Sequence, residues 1–390
     1  MSINGQAYVV GAFEHPLRKA PHKTIPELHA EVVRGALDDA GLSLGDIDGY
    51  FTGTDAPGLG SVSMAEYLGL KPRFIDTTST GGSGYIIAAG HAAAAIAMGK
   101  CSIALITLAG RPRTGQELQG EMPFLSDPLV PGVPYEAPFG INIVNAYALA
   151  ARRHMHEFGT TSEQLAWVKV AASHHAHHNP NAMLRDVVTV EDVLASPMIA
   201  DPLHKLDCCI VSDGGGALIL ARPEIAKTLA RPLVRVRGSG EAYKTLDGGR
   251  VDLTYSAGRD SGRAAFAEAG IAPSDIDYAS IYDSFTITVL MQLEDLGFCD
   301  KGAGGRFVAD GGLISGVGKL PVNTDGGGLC NNHPANRGGM TKMIEAVRQL
   351  RGEAHPAVQV PDCALALAHG TGGFLGTRHI GGTLILERDA

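Results

Sequence analysis

Two hydrophobic rhythms run through this chain. Nearly continuous apolar runs that end in glycine, Cys101–Gly110 (CSIALITLAG) and Cys363–Gly370 (CALALAHG), read as buried strands. The shorter segments Arg73–Asp76 and Tyr278–Ile281 read the same way. Helical spacing appears at Ile25–Ala40, Thr161–Ala176, Ser261–Ala269, Thr286–Leu296 and Gly339–Leu350, and an alanine-rich helix starts at Tyr85. Pro26 near the start of the first helix and Gly41 just past its end fit the usual cap asymmetry. Strand, helix and buried strand recur, which predicts an α/β protein whose sheets are covered by helices.

The recurrence is also literal. Residues 36–48 (ALDDAGLSLGDID) match 265–277 (AFAEAGIAPSDID) at an offset of 229, and 215–222 (GGALILAR) match 381–388 (GGTLILER) at an offset of 166. The chain therefore reads as two related halves, 1–110 plus 191–235 and 236–390. The offsets differ by 63, which is net extra sequence in the first half, and its place is the region 111–190. That region is loop-like at RPRTGQELQGEMPFLSDPLVPGVPYEAP, as a binding loop is more often than packing material. It is expected to cover the bound ligand.

Composition excludes several partners. A net charge of −9 argues against nucleic acid and anionic membrane, while leaving room for an anionic ligand held by a few arginines. The longest apolar run, Tyr85–Met98, is too short to span a bilayer. Six cysteines without a regular framework, and a start lacking a basic-then-apolar leader, lead to the expectation of a cytoplasmic protein. The tract 174–178 (HHAHH) has no accompanying acid or cysteine at zinc-site spacing, so no metal is expected.

Four segments carry candidate chemistry. TTSTGGSG (77–84) is a glycine-rich turn leading into the alanine-rich helix. It either presents backbone N–H groups to an anion or oxyanion, or keeps side chains small where helices cross closely. IYDSFT (281–286) puts Tyr282 at a strand-to-helix junction, NTDGGGLCNNHPANRG (323–338) puts His333 in a rigid turn before Pro334, and HGTGG (369–373) closes a buried strand.

Together with GTTSEQLAWVKV (159–170), DVLASPMIADPLHKLDCC (192–209), SDGGGALIL (212–220) and LEDLGFCDKG (293–302), these segments resemble the thiolase superfamily, in its sterol-carrier-protein or lipid-transfer branch. The resemblance covers nearly the whole chain. It implies two duplicated βαβαβαββ halves in a five-layered αβαβα unit with an inserted loop domain. The family's nucleophile pattern, Cys-Ala-Ser/Thr-Gly, falls on Thr78-Ser79-Thr80-Gly81, and no cysteine stands anywhere in 77–84. Its His-Asp-Cys-Phe block falls on Tyr282-Asp283-Ser284-Phe285, and its Gly-His-Pro block on Asn332-His333-Pro334. His369 lies near the position of a second family cysteine.

The site pattern is similar to that of steroid side-chain aldolases, which cleave a β-hydroxyacyl-CoA by retro-aldol chemistry. Such cleavage needs a base for the β-hydroxyl proton and donors for the thioester oxygen, but no covalent cysteine. The resemblance implies that Tyr282 takes the hydroxyl proton, and that His333 stabilises the enolate or reprotonates the α-carbon. His369 is the third catalytic candidate, with Gly370 and Gly372 supplying backbone donors. Thr78, Ser79, Ser284 and Asn332 are expected to line the substrate, and Arg111 and Arg113 to meet coenzyme A phosphate. Coenzyme A enters as part of the substrate, and no tightly bound cofactor is expected. A homodimer core and a small zinc-ribbon OB-fold partner follow from the same analogy. Two alternatives stand beside the lyase: an acyltransferase working through Ser79 or Ser284, and a non-catalytic acyl-CoA or lipid scaffold.

Overall fold

The computed structural model describes residues 2–115, 127, 129–130, 132–140, 142–244, 250–334, 338–375 and 378–389. Eleven strands are described: β1 (Tyr8–Glu14), β2 (Gly49–Gly53), β3 (Phe74–Thr78), β4 (Ile103–Gly110), β5 (Met198–Ala200), β6 (Leu203–His204), β7 (Gly214–Ala221), β8 (Val234–Lys244), β9 (Tyr278–Ile281), β10 (Leu365–Gly372) and β11 (His379–Arg388). Nine of them hydrogen-bond in the order β3-β2-β4-β7-β1-β8-β11-β10-β9, and β5 pairs only with β6. The two halves of the chain meet at a narrow seam, where β1 and β8 share only the pairs Tyr8↔Arg235 and Val9↔Val234.

Helices α1 (Ile25–Ala40), α2 (Gly84–Ala97), α3 (Ile143–Phe158), α4 (Ser162–Ala176), α5 (Gly258–Ala269), α6 (Thr286–Asp295), α7 (Gly327–Cys330) and α8 (Gly339–Arg351) build the layers. One apolar cluster joins α2 and α8 to strand residues of both halves, among them Ile106, Leu218, Ala368 and Leu384. A second packs α1 on the far face of the first half, and a third packs α5 and α6 on the far face of the second. The sheet thus bends around the central helices, giving five layers in the order αβαβα. The helical region after residue 142 makes no core of its own. Tyr147 of α3 and Leu165 and Val168 of α4 join the cluster of Ile281, Leu290 and Leu293. Among the described residues no helix is long and apolar enough to cross a membrane.

The repeated sequence is a repeated structural device. Gly41 after α1 and Gly270 after α5 both adopt φ 67°, the left-handed turn that glycine takes without penalty. The first aspartate of each Asp-Ile-Asp closes the start of the short turn that it ends: Asp46 accepts the Ser43 N–H and Asp275 the Ala272 N–H, each at 2.8 Å. The second pins the neighbouring parallel strand. Asp48 accepts from the N–H groups of Ser102 and Ile103, and Asp277 from those of Ala364 and Leu365. The start of α1 is closed by a capping box between Thr24 and Glu27, with Pro26 in its first turn.

Candidate active site

Strand alternation decides which side chains reach the central layer. Along β9, Ala279 and Ile281 face the outer helices, while Tyr278, Ser280 and the next residue, Tyr282, face α2 and α8. The Tyr282 N–H donates to His369 O at 2.9 Å, carrying the ladder one residue beyond β9. Its ring is wedged between two helix entrances. A Cβ at Gly82 would lie 2.5 Å from Tyr282 Cζ, and one at Gly338 would lie 2.9 Å from Cε2. The second glycine of TTSTGGSG is therefore required, in part, by the close approach of this ring.

His333 is placed by the first half of the chain. Its N–H donates to Ser212 Oγ at 2.9 Å, and its carbonyl accepts from the Ser212 N–H at 3.2 Å. Nε2 of His333 lies 2.9 Å from Tyr282 Oη, with the rings at 62° and both residues buried. Burial pushes the imidazole down to about 4, so it is neutral near pH 7; the Asp283 carboxylate opposes that shift and the Lys342 ammonium adds to it. Lys342 Nζ and Asp283 Oδ1 are 2.6 Å apart, each side chain 1% exposed.

The two glycine loops meet beside this pair. A Cβ at Gly81 would lie 3.1 Å from Gly372 Cα, and one at Gly370 would lie 2.8 Å from Gly82 O and 3.0 Å from Ser83 Cα. Gly370, rather than His369, points at the entrance of α2. The His369 ring lies on the opposite face of the sheet, where Nδ1 is 2.9 Å from Thr383 Oγ1 and Gly258 is the near neighbour of Nε2. Burial lowers it to about 3. That geometry sets the His369 ring apart from the Tyr282–His333 pair, since strand alternation turns residues 367 and 369 away from α2. Gly370 and Gly372 stand in the β10–β11 ladder, opposite Gly382 and Ile380.

The remaining candidates scatter around the pair. Thr78 Oγ1 donates to Asp76 Oδ2 on its own strand at 3.2 Å, and Ser79, which is exposed, accepts from Thr54 Oγ1 at 2.8 Å. Ser284 Oγ lies 3.1 Å from Thr288 Oγ1 in the first turn of α6. Asn332 is a buttress: Oδ1 accepts from Ser212 Oγ at 2.7 Å and Nδ2 donates to Glu14 Oε1 at 3.1 Å. Arg111 Nη2 donates to the carbonyl of Pro21, and Arg113 Nη1 to that of Val211, next to the Ser212 that holds His333. The cover expected over the ligand includes residues 116–126, which lie outside the described residues.

Glu14, Ser212, Asp283 and Lys342 were not singled out from the sequence. Burial pushes the Glu14 carboxyl up, but the Arg18 and Arg348 guanidiniums outweigh it and hold it down to about 2. With Asn331 and Asn332, these groups stiffen the turn before His333. Asp283 and Ser212 stood inside quoted motifs. Lys342 had no signal, because its neighbours on α8 read as an ordinary amphipathic helix.

A buried tyrosine–histidine pair thus stands at the entrance of a central helix in a five-layered duplicated α/β fold, and the turn 77–84 that leads into that helix holds no cysteine. Residues 240–388 match the family described as "Thiolase C-terminal domain-like". The chain is 35% identical over 382 residues to the 17-hydroxy-3-oxo-4-pregnene-20-carboxyl-CoA lyase of Mycobacterium tuberculosis, spanning 95% of this chain and 97% of that relative. It is also 35% identical over 373 residues to an acetyl-CoA acetyltransferase of Methanothermobacter thermautotrophicus, spanning 90% and 92%. The solved structure named "Ltp2-ChsH2(DUF35) aldolase" is 33% identical, with a TM-score of 0.88 and 99% of each chain covered. The chain belongs to the thiolase superfamily.

Proposed function

We propose that the protein is an acyl-CoA lyase that cleaves the Cα–Cβ bond of a β-hydroxyacyl-CoA, releasing a ketone or aldehyde and a shorter acyl-CoA. The observation that carries this reading is the Tyr282 Oη to His333 Nε2 contact of 2.9 Å, in a stretch of site where 77–84 holds no cysteine. The relatives named as a lyase and an aldolase support it.

The geometry suits a relay. As the β-hydroxyl proton passes to Tyr282 Oη, the phenol's own proton passes to His333 Nε2, which accepts it in the neutral tautomer that carries its proton on Nδ1. The hydroxyl oxygen becomes the carbonyl of the leaving ketone or aldehyde, and the Cα–Cβ electron pair moves into the thioester enolate. The same chain then runs backwards and returns one proton to the α-carbon, so the cycle consumes none. Backbone N–H groups of the two glycine loops would supply the donors to the enolate oxygen, where donors are worth most. A threonine hydroxyl at 78 is a poor nucleophile without special activation and takes no covalent part.

A steroid side-chain thioester is the substrate this reading favours, from the pregnene carboxyl-CoA in the name of the lyase relative. Arg111 and Arg113 would meet the coenzyme A phosphates, with residues 111–190 as the inserted region and no resident cofactor. A homodimer, with the open edge strand β3 and its 41% exposed Ile75 as one available face, would work in the cytoplasm. A small OB-fold partner is suggested by the two components in the name of the aldolase structure.

The test is to incubate the protein, alone and with any co-purifying partner, with β-hydroxyacyl-CoA candidates and follow ketone or aldehyde release by mass spectrometry. Cleavage without an acyl-enzyme supports the lyase. CoA-dependent thiolysis of a β-ketoacyl-CoA through a trapped acyl-enzyme would replace it with the acyltransferase.

A further inference from the structure

The Tyr282–His333 pair rests on a second buried pair that bond cleavage itself does not use. Lys342 Nζ and Asp283 Oδ1 are in electrostatic contact at 2.6 Å, without the alignment of a hydrogen bond. Replacing a buried ion pair with apolar groups is often neutral or stabilising, so stability alone is a weak reason for this one. Its position supplies another reason. Asp283 directly follows Tyr282 and accepts the N–H groups of Gly328 and Leu329, at 2.8 and 3.1 Å, in the turn α7. That turn ends at Cys330, three residues before His333. A Cβ at Gly328 would lie 2.9 Å from His333 Cδ2 and 3.1 Å from Asp283 Oδ1, so carboxylate and imidazole flank the same bare backbone.

We propose that Lys342 is a positioning residue of the Tyr282–His333 relay, acting through Asp283. Its ammonium anchors the carboxylate that holds α7, and it balances a negative charge that would otherwise draw a proton onto His333. The activity arm of this proposal rests on the lyase reading; the protonation arm does not.

The charges around His333 come from every element packed on it. Tyr282 and Asp283 approach from the β9–α6 junction, and Lys342 from α8. Lys169 of α4 donates to Leu329 O at 2.7 Å and reaches Cys330 Sγ at 3.0 Å. Glu14, reached through Asn332, is clamped by Arg18 and Arg348. Within this set Asp283 raises the proton affinity of His333 and Lys342 lowers it. Removing the lysine leaves the carboxylate uncompensated, and the imidazole moves up from about 4 toward the ordinary histidine value near 6.5. An imidazolium has no lone pair at Nε2 for the Tyr282 proton, so the relay fails below that pH and recovers above it.

The test uses the full-length protein carrying Lys342→Met, Lys342→Arg or Asp283→Asn. Two quantities are read: the His333 titration by NMR, assigned with His333→Gln, and the pH dependence of kcat/KM for β-hydroxyacyl-CoA cleavage. Lys342→Met should move both the titration and the acidic limb upward by about one unit or more, with kcat/KM recovering to within about tenfold well above that limb. Lys342→Arg should restore the parent profile. Asp283→Asn should leave the His333 titration at or below its parent position, which keeps the question decidable if Lys342→Met does not fold. A lowered plateau with an unmoved limb and an unmoved titration would overturn the proposal, since a merely structural lysine gives that result. If the parent cleaves no substrate, the lyase reading fails and the NMR titration alone decides the role of Lys342.

Discussion

Tyr282 Oη and His333 Nε2 share one hydrogen bond of 2.9 Å, and each ring is held in place by the other half of the chain. Gly82 accommodates the tyrosine, and Ser212 grips the histidine backbone on both its N–H and its carbonyl. Two groups on one proton act as a unit, and their deletions are then not additive. Tyr282→Phe and His333→Ala should each lower the cleavage rate by about 10²–10⁴-fold, with a much smaller change in substrate affinity. The double variant should be no slower than the worse single one. Steady-state kinetics on all three decide it, and losses that multiply would mean the residues act on separate steps.

The loss of the family nucleophile makes a second expectation. Thr78→Ala should leave lyase turnover within about tenfold of the parent, because retro-aldol cleavage forms no acyl-enzyme. A drop of about 10³-fold with the fold intact, seen by circular dichroism alongside the assay, would assign the hydroxyl to nucleophilic attack or to an essential contact.

How far the site was legible follows from what each residue does for the backbone. Tyr282 and His333 sit in short blocks where a strand or a turn ends, and such blocks leave glycines, prolines and aspartates as markers. The fold was legible for the same reason: Asp46 and Asp48, with Asp275 and Asp277, repeat because each caps a turn or pins a strand in the same way. The place of His369 was not legible, because closeness in sequence to a family position says nothing about which face of a strand a side chain takes. One residue's shift turns it to the other side, here toward Thr383. The seam between β1 and β8 rests on two residue pairs and leaves no periodic trace.

The tightness around Tyr282 gives a third prediction. Gly82→Ala places a methyl against Thr371 O and 2.5 Å from Tyr282 Cζ, at a position whose backbone is not in the left-handed region. The ring and the end of β10 have to shift apart from it, and a displacement near 1 Å at the ring costs about 10²-fold in rate. Turnover should fall by that order while the protein stays folded. Unchanged turnover in Gly82→Ala would show that the ring position is not critical.

For His369 the structure predicts the reverse pattern. His369→Ala removes a fully buried ring and its contact with Thr383, at a cost of about 1–3 kcal/mol in stability. The turnover of the folded protein should stay within a few-fold. Urea midpoints together with kcat separate the two effects, and a large rate loss at unchanged stability would return the imidazole to the reaction.

The buried histidines set a pH limit on the fold. Burial holds His175 and His333 down to about 4, and His369 and His379 down to about 3. In the unfolded chain the same groups titrate near 6.5. Between those values the unfolded state binds more protons than the native one, so stability is greatest above about pH 6.5 and declines as pH falls. Several groups oppose this, among them the Asp207 and Asp295 carboxyls, which burial raises above the ordinary value. Burial and Asp325 raise Glu345 to about 7, and Asp76 with Glu241 raises His91, so the fold takes up protons at these sites as pH falls. Glu14 is held at about 2 and loses its contribution only below the ordinary carboxylate range, outside the window. The four buried neutral imidazoles set the sign against these groups, because in the unfolded chain they take up their protons within the window itself. The urea midpoint should therefore be lower at about pH 5 than at about pH 7. An equal or higher midpoint at the acid end would mean that the opposing groups, Glu345 foremost, outweigh the buried imidazoles.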